Sequence, residues 1–253
     1  MKSFIFIGQH KCGTTSIQDF LSSSYQEILK RGYLYPFSDI QSIINHRFKK
    51  SLIKSDEIDN HIESFITWRK DILEPHNKLA FKLIDEKFDS GMPPWHTNEE
   101  SSEEIFDIFK YQIFNSNIHT LIICSEILSL FPEYDNDLIT NLLDNLGCES
   151  HEFCCLLRRP DDYLSSFFSQ ELFFERIKED INDRYFNFYK KSVHFDYKKL
   201  ISSWIDTNRF KNINIGNYGE IMNELKDTTK WFLRKIGMQF LESLILLKKI
   251  RMQ

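Results

Sequence analysis

The stretch FIFIGQHKCGTTSIQ at residues 4–18 constrains the fold most, because an apolar run passes through a glycine-bounded loop directly into a helical pattern. Residues 4–7 have the β-branched and aromatic composition of a buried strand. A helix is predicted to begin near Thr14, where unpaired backbone N–H groups and the positive end of the helix dipole favour an anion. The stretch therefore predicts a strand–loop–helix unit that binds a phosphate-like group.

The same alternation of short strands and longer helices recurs along the chain. Apolar runs at residues 119–124, 153–157 and 213–215 are predicted to be buried strands, because they lack polar alternation. Residues 14–30 and 161–178 show the apolar spacing of amphipathic helices. We expect an α/β fold with three layers, in which helices flank a central parallel sheet on both sides.

The length and composition favour one domain. The chain has 253 residues, of which 42% are hydrophobic, enough for one sizeable core. Residues 38–117 are less regular, with polar helical stretches at 57–70 and 99–110 and a Gly/Pro loop at 90–94. We interpret them as a mostly helical insertion or lid on the acceptor side of a single domain that spans residues 1–253.

Charge and cysteine content exclude several classes of function. The net charge of −5 gives no general attraction to nucleic acid or anionic lipid, and no apolar run reaches membrane-spanning length. We therefore expect a cytoplasmic protein with no nucleic-acid partner and no membrane span. The five cysteines lack CxxC spacing, which favours buried reduced thiols over disulfides or a metal site. The oligomeric state has no signature in the sequence.

The lysine of the loop lies at an unusual position. Lys11 is between Gly8 and Gly13, whereas a standard phosphate loop places lysine directly after its second glycine. Gly13 would let the backbone approach an anion, and Lys11 would add a movable cation. The hydroxyls of residues 14–16 add donors. The alternative is a Gly-rich turn with a threonine N-cap and a solvated lysine.

The segment GQHKCGTTSIQDFL resembles the phosphosulfate-binding loop of the PAPS-dependent sulfotransferase family, particularly its bacterial branch, which has a Lys-x-Gly-Thr-Thr core after the first strand. The resemblance implies a P-loop-containing nucleotide-hydrolase-like fold, PAPS (3'-phosphoadenylyl sulfate) as sulfuryl donor and no metal. It implies that Lys11 stabilises the leaving phosphate. The loop residues that it assigns to donor binding are Gly8, His10, Lys11, Cys12, Gly13, Thr14, Thr15 and Ser16.

A second candidate anion site lies in CCLLRRPDDYLSSFF at residues 154–168. Arg158 ends a predicted strand and Ser166 lies on the following helix, so a guanidinium and a hydroxyl can grip one anion together. The stretch resembles the second signature of the sulfotransferase family, which implies that Arg158 and Ser166 bind the ribose 3'-phosphate. Arg159 stands where many members have Asp. Taken alone, Arg-Arg-Pro is more typical of a helix-start loop with surface cations.

Sulfuryl transfer to a hydroxyl requires a base, and three residues are candidates. Glu126 is the first choice, because it follows a strand that ends at the same rim as the loop. His46, in an Asn-His element that resembles one in the family, is second, and His10 is third. Each has an ordinary alternative: a helix-capping glutamate, a surface histidine and a loop histidine bound to backbone.

The resemblance continues through residues 194–221 and 227–238, which are similar to the late helix, last strand and closing helix of bacterial sulfotransferases. After Met238 the family continues into a segment that encloses the donor, whereas this chain ends at Gln253. The alternatives are therefore a P-loop kinase that uses ATP and Mg²⁺, and a degenerate nucleotide-binding protein with a truncated C-terminus. The acceptor is expected to be a carbohydrate, lipid or small hydroxylated metabolite, with Trp68, Phe81 and Trp95 as candidate stacking residues or core.

Overall fold

The computed structural model describes residues 1–39, 70–96, 99–173, 192–193 and 195–245. Five parallel strands form one sheet in the order β2-β3-β1-β4-β5. The strands are β1 (Lys2–Gly8), β2 (Tyr33–Leu34), β3 (Thr120–Cys124), β4 (Ser150–Leu157) and β5 (Phe210–Asn217). The predicted α/β class with a central parallel sheet is confirmed. The sequence pattern missed β2, which has only two residues and is too short to show a periodicity.

Helices cover the sheet on both sides. In chain order they are α1 (Thr14–Ser23), α2 (Tyr25–Leu29), α3 (Pro75–Phe88), α4 (Ser102–Phe114), α5 (Phe131–Tyr134), α6 (Asp137–Asn145), α7 (Pro160–Phe173), α8 (Tyr197–Ile205), α9 (Tyr218–Leu225) and α10 (Thr228–Lys235). Short 3-10 segments lie at Ile127–Leu130 and Gln239–Leu241. None of the helices in the described ranges is long and apolar enough to cross a membrane.

The helix predicted over residues 14–30 is interrupted. α1 ends at Ser23, and Ser24 separates it from α2. The cause is a run of three serines, because the Ser23 hydroxyl donates back to the carbonyls of Asp19 and Phe20. Serine side chains compete in this way with helical hydrogen bonding.

The two faces of the sheet build separate apolar clusters. On β1, Ile5 and Ile7 pack against α3, α4 and α6, whereas Phe4 and Phe6 pack against α1 and α10. The Phe232 ring of α10 meets both phenylalanines edge to face, with ring centroids 5.7 and 5.5 Å away. This burial on both faces explains why β1 is apolar at successive positions rather than alternating.

The region predicted as a lid is helical where the structure describes it. α4 begins with a capping box, in which the Ser101 side chain accepts from the Glu104 backbone while the Glu104 carboxylate accepts from the Ser101 backbone. Residues 90–94 form no helix or strand, as predicted. The helical stretch predicted at residues 57–70 lies, apart from residue 70, outside the described ranges.

Strand connectivity determines where a ligand can enter. From β1 the chain runs toward the β2 edge of the sheet. From β3 and from β4 it runs toward the opposite edge, which β5 forms. Loops that follow adjacent parallel strands therefore diverge around β1, and a crevice opens at the carboxyl edge of the sheet. The segment after β1 is the glycine-bounded loop, so the fold places this loop beside the crevice.

We predict that Gly216→Ala destabilises the fold by about 1 to 3 kcal/mol, the scale for overpacking a filled core. A Cβ atom at residue 216 would lie 2.6 Å from the Trp231 ring, 2.7 Å from Leu156 and 2.9 Å from Ile221. The matched control is Gly219→Ala, where the nearest atom would be 3.4 Å away. Urea denaturation of both variants checks this, and equal midpoints would contradict tight packing between β5 and α10.

Candidate functional site

The loop after β1 turns tightly around a buried cysteine. The Cys12 backbone donates to the Gln9 carbonyl at 3.2 Å, and the Cys12 side chain is buried in the cluster that contains Phe4 and Phe6. Burial raises the pKa of the Cys12 thiol to about 12, so the side chain is a neutral anchor. The cysteine thereby ties the middle of the loop to the core.

Two residues of the loop have left-handed backbone conformations. Gly13 has φ 79° and stands at the N-cap of α1, where it provides no capping side chain. A Cβ atom at residue 13 would lie 2.3 Å from the Thr228 hydroxyl. Lys11 has φ 64°, which is uncommon for a residue other than glycine. The first backbone N–H groups of α1 therefore lie open to an anion, with an exposed lysine beside them.

Arg158 connects the loop to the end of β4. Its Nη1 donates to the Lys11 carbonyl at 3.1 Å, and its backbone N–H donates to Gln9 Oε1 at 3.2 Å. The guanidinium carbon lies 5.0 Å from the centroid of the Tyr218 ring, and the Tyr197 hydroxyl donates to the Arg158 carbonyl. These contacts hold the cation of Arg158 next to the loop that contains Lys11.

One open cavity of about 890 Å³ lies at this edge of the sheet. Its lining residues are His10, Lys11, Gly13, Thr14, Thr15, Lys70, Glu74, Asn77, Phe81, Trp95, Glu126, Ile127, Leu130, Arg158, Ser166 and Tyr218. The cationic side chains of Lys11 and Arg158 line the same cavity as the carboxylates of Glu74 and Glu126. The cavity therefore combines groups that bind anions with groups that accept protons.

Glu126 follows the carboxyl end of β3 and contacts α3. Asn77 Nδ2 donates to Glu126 Oε1 at 3.3 Å and to Glu74 Oε2 at 3.1 Å, and Lys70 Nζ pairs with Glu74 Oε1 at 2.5 Å. Glu126 Oε2 is buried and has no hydrogen-bond partner among the described residues. Burial, followed by the nearby Glu74, raises the pKa of Glu126 to about 7. A carboxyl group with this pKa exchanges protons near neutral pH.

α3 is held in place by buried polar contacts. Burial lowers the pKa of His76 to about 3, so the ring is neutral and its Nδ1 accepts the Cys124 backbone N–H at 3.0 Å. The Lys78 ammonium is fully buried between Glu100 at 2.6 Å and Asp71 at 3.5 Å. Buried charges are tolerated only when they are paired in this way.

The structure brings together most, but not all, of the residues that the sequence singled out. His10, Lys11, Gly13, Thr14, Thr15, Glu126, Arg158 and Ser166 all line the large cavity. Ser16 lines an adjacent cavity of about 420 Å³. Gly8 and Cys12 lie below the loop, where a Cβ atom at Gly8 would lie 2.8 Å from the Thr14 hydroxyl. His46 and Trp68 lie outside the described residues.

Sequence reasoning missed six lining residues, namely Lys70, Glu74, Asn77, Ile127, Leu130 and Tyr218. A signal for two of them was present in the stretch EPHN at residues 74–77, because Pro75 marks a first helical turn and places Glu74 and Asn77 close together. No group of three His, Cys, Asp or Glu side chains within the described ranges is arranged to hold a metal ion.

Comparison with known proteins adds no assignment. No family model matches the sequence, and no curated protein is significantly similar to it.

We predict that Glu126→Gln stabilises the protein at pH 8.5 by about 1 to 2 kcal/mol more than at pH 5.5. A raised carboxyl pKa means that the folded state binds more protons than the unfolded state between pH 4.5 and 7. Wild-type stability therefore falls as pH rises through this window, and the amide removes the fall. Urea midpoints at both pH values check this, with exposed Glu224→Gln as control. An equal effect of Glu126→Gln at both values would contradict it.

Proposed function

We propose that this chain is a sulfotransferase that moves the sulfuryl group of PAPS to a hydroxyl acceptor. The observation that supports it most is that Lys11, Arg158 and Ser166 line the same cavity as Glu126. The first three suit an anionic donor, and the carboxylate suits removal of a proton from a hydroxyl group. The motifs that carry the family resemblance thus lie together, although they are more than 100 residues apart in sequence.

The loop and Arg158 together fit a donor that has two separate anionic groups. Thr14 Oγ1 and Arg158 Nε are buried and have no hydrogen-bond partner among the described residues. Buried polar atoms of this kind are commonly hydrogen-bonded by a ligand, an ion or ordered water. In the proposed complex, Lys11, Gly13 and residues 14–16 hold the sulfated phosphate, and Arg158 with Ser166 holds the ribose 3'-phosphate.

The side chains on the two sides of the cavity have complementary tasks in the proposed reaction. The acceptor oxygen forms a bond to sulfur while the bond from sulfur to the donor phosphate oxygen breaks, and the acceptor proton passes to Glu126. The Lys11 ammonium offsets the charge that develops on the released oxygen. PAPS, when bound, supplies the activated sulfuryl group.

The aromatic rings of Phe81 and Trp95 line the cavity together with Glu74 and Glu126. Aromatic rings pack against the apolar faces of sugars and other ring compounds, while carboxylates accept hydrogen bonds from hydroxyl groups. This combination supports a hydroxylated acceptor such as a carbohydrate or a phenol.

A P-loop kinase is the second candidate, because a carboxylate at a strand end next to an anion loop also suits a magnesium nucleotide. Binding separates the two functions. We expect adenosine 3',5'-bisphosphate to bind without Mg²⁺, measured by calorimetry, and Arg158→Ala to weaken it at least about tenfold through loss of a charged donor. Arg159→Ala is the matched control, since this exposed neighbour pairs only with the surface residue Asp161 in the described contacts. Tight binding of ATP with Mg²⁺ and none of the bisphosphate would favour the kinase.

We predict that Lys11→Ala lowers the rate of transfer from radiolabelled PAPS by about a hundredfold or more, the scale for removing one transition-state donor. The measurement is a transfer screen against glycans, glycolipids and phenols. Lys11→Gly should give the same loss, because glycine tolerates the positive φ and only the ammonium is then missing. Lys30→Ala, directly after α2, is the control. A wild-type protein that binds the bisphosphate but transfers to no acceptor would favour the degenerate nucleotide-binding protein.

A further inference from the structure

Asn77 is a buried residue whose amide contacts four side chains from three parts of the fold. The residue lies in the first turn of α3 and is 2% exposed. Its Oδ1 accepts from the Ser125 hydroxyl at 2.6 Å and from Gln18 Nε2 at 3.2 Å. Its Nδ2 donates to Glu74 Oε2 at 3.1 Å and to Glu126 Oε1 at 3.3 Å. One amide thus links α1, the end of β3 and both carboxylates of the cavity.

The neighbours of this amide determine which way it faces. Gln18 Nε2 also lies 3.1 Å from the Cys124 carbonyl, which only accepts, so this end of Gln18 must be its NH₂ group. Asn77 must therefore present its oxygen to Gln18 and its NH₂ group to the two carboxylates. Because Gln18 lies on α1, directly after the anion loop, the orientation of Asn77 depends on the helix that the loop begins.

The contacts of Asn77 leave Glu126 with one oxygen held and one free. Oε1 accepts from Asn77, whereas Oε2 is buried without a partner in the described part of the chain. Tilting the carboxylate out of its present plane would break the hydrogen bond that Oε1 accepts from Asn77. Both oxygens of Glu74 are already engaged, by Lys70 and by Asn77.

We propose that Asn77 is a positioning residue that orients the Glu126 carboxylate, so that Oε2 faces the acceptor hydroxyl. Asn77 holds this orientation against the repulsion between Glu126 and the nearby carboxylate of Glu74. This inference rests on the proposed transfer reaction for its purpose, but the orientation of Glu126 can be measured independently of activity. The acceptor proton would move to Oε2 and leave the hydrogen bond from Asn77 to Oε1 in place.

The charged and titratable groups around Glu126 act in different directions. Besides burial, Glu74 favours the protonated form of Glu126, whereas the backbone N–H of Glu126, then Asn77 and Lys70, favour the carboxylate. The buried side chains of Tyr35 and Cys124 interact with Glu126 from the sheet, and burial raises the pKa of both, so they stay neutral. Lys11 and Arg158 line the same cavity from the loop side.

Two substitutions should therefore move the titration of Glu126 in opposite directions. Asn77→Ala removes a hydrogen bond to the carboxylate, so the midpoint should rise; Glu74→Gln removes a like charge, so the midpoint should fall. The midpoint is read from the carboxyl carbon resonance of Glu126 in protein labelled with ¹³C-glutamate. The resonance is assigned by its absence in Glu126→Gln. Asn145→Ala, which removes an exposed helical amide, is the control.

The pH dependence of transfer should follow the same pattern. Protonation of the Glu126 carboxylate limits the transfer rate at low pH. The acidic limb of the pH–rate profile should therefore move to higher pH in Asn77→Ala and to lower pH in Glu74→Gln. At pH 6.5 we expect Asn77→Ala to reduce turnover about tenfold, with the affinity for the bisphosphate unchanged. A purely structural role would lower the rate equally at every pH.

The outcomes are distinct. Opposite shifts of the resonance midpoint in Asn77→Ala and Glu74→Gln support the positioning role. If the wild type transfers no sulfuryl group but the midpoints still shift in this way, the proposed function is wrong and the positioning role stands. An unchanged or lowered midpoint in Asn77→Ala overturns the positioning role. Because Asn77→Ala also leaves Gln18 and Ser125 with fewer partners, urea denaturation reports whether it folds. If Asn77→Ala does not fold, Glu74→Gln provides the test, because glutamine has nearly the same shape as glutamate. An unchanged Glu126 midpoint in Glu74→Gln then overturns the positioning role.

Discussion

The position of β1 between β3 and β4 is the constraint on which the rest of the structure depends. β1 is paired along both edges and covered on both faces, so the position and direction of its carboxyl end are fixed. The loop that follows inherits this rigidity through Cys12, which is buried in the core, and through Gln9, whose backbone donates to Leu156 at 3.3 Å. A loop that binds an anion benefits from such support, because its N–H groups need no reorganisation when the ligand arrives.

The cavity is lined by charged side chains of both signs, which neighbouring groups hold in place. Arg158 is held against the loop carbonyl and the Tyr218 ring, and Glu126 is held against Asn77. Burial of the Glu126 carboxylate next to Glu74 costs stability when the group is ionised, and its pKa is raised for the same reason. Groups whose pKa is shifted in this way are typical of functional sites, where such a cost is retained because the chemistry requires it.

The amount that the sequence predicted differs between elements for physical reasons. Apolar strands and amphipathic helices are visible in local composition, so four of the five strands in the described residues and the helix after the loop could be predicted. The burial predicted for residues 213–215 was wrong, because β5 is an edge strand, in which Ile213 and Ile215 are 44% and 49% exposed. The two residues of β2 could not, since no period is visible in so short a stretch. The break at Ser24 was also missed, because the apolar spacing continues across it while the serine hydroxyls disrupt the backbone hydrogen bonds.

For the site, the sequence by itself identified the glycine-bounded loop and its lysine as a candidate anion site, because a strand, two glycines and a helix start lie within 15 consecutive residues. It also identified Arg158 and Glu126, which follow predicted strands, and Ser166, on the helix after Arg158, as candidates. Only the tertiary structure decided that these residues share one cavity, and that Asn77 and Glu74 belong to it. Asn77 contacts Gln18 and Glu126, which are 59 and 49 residues away along the chain. Such contacts arise from the packing of α3 on the sheet, and local sequence carries no record of them.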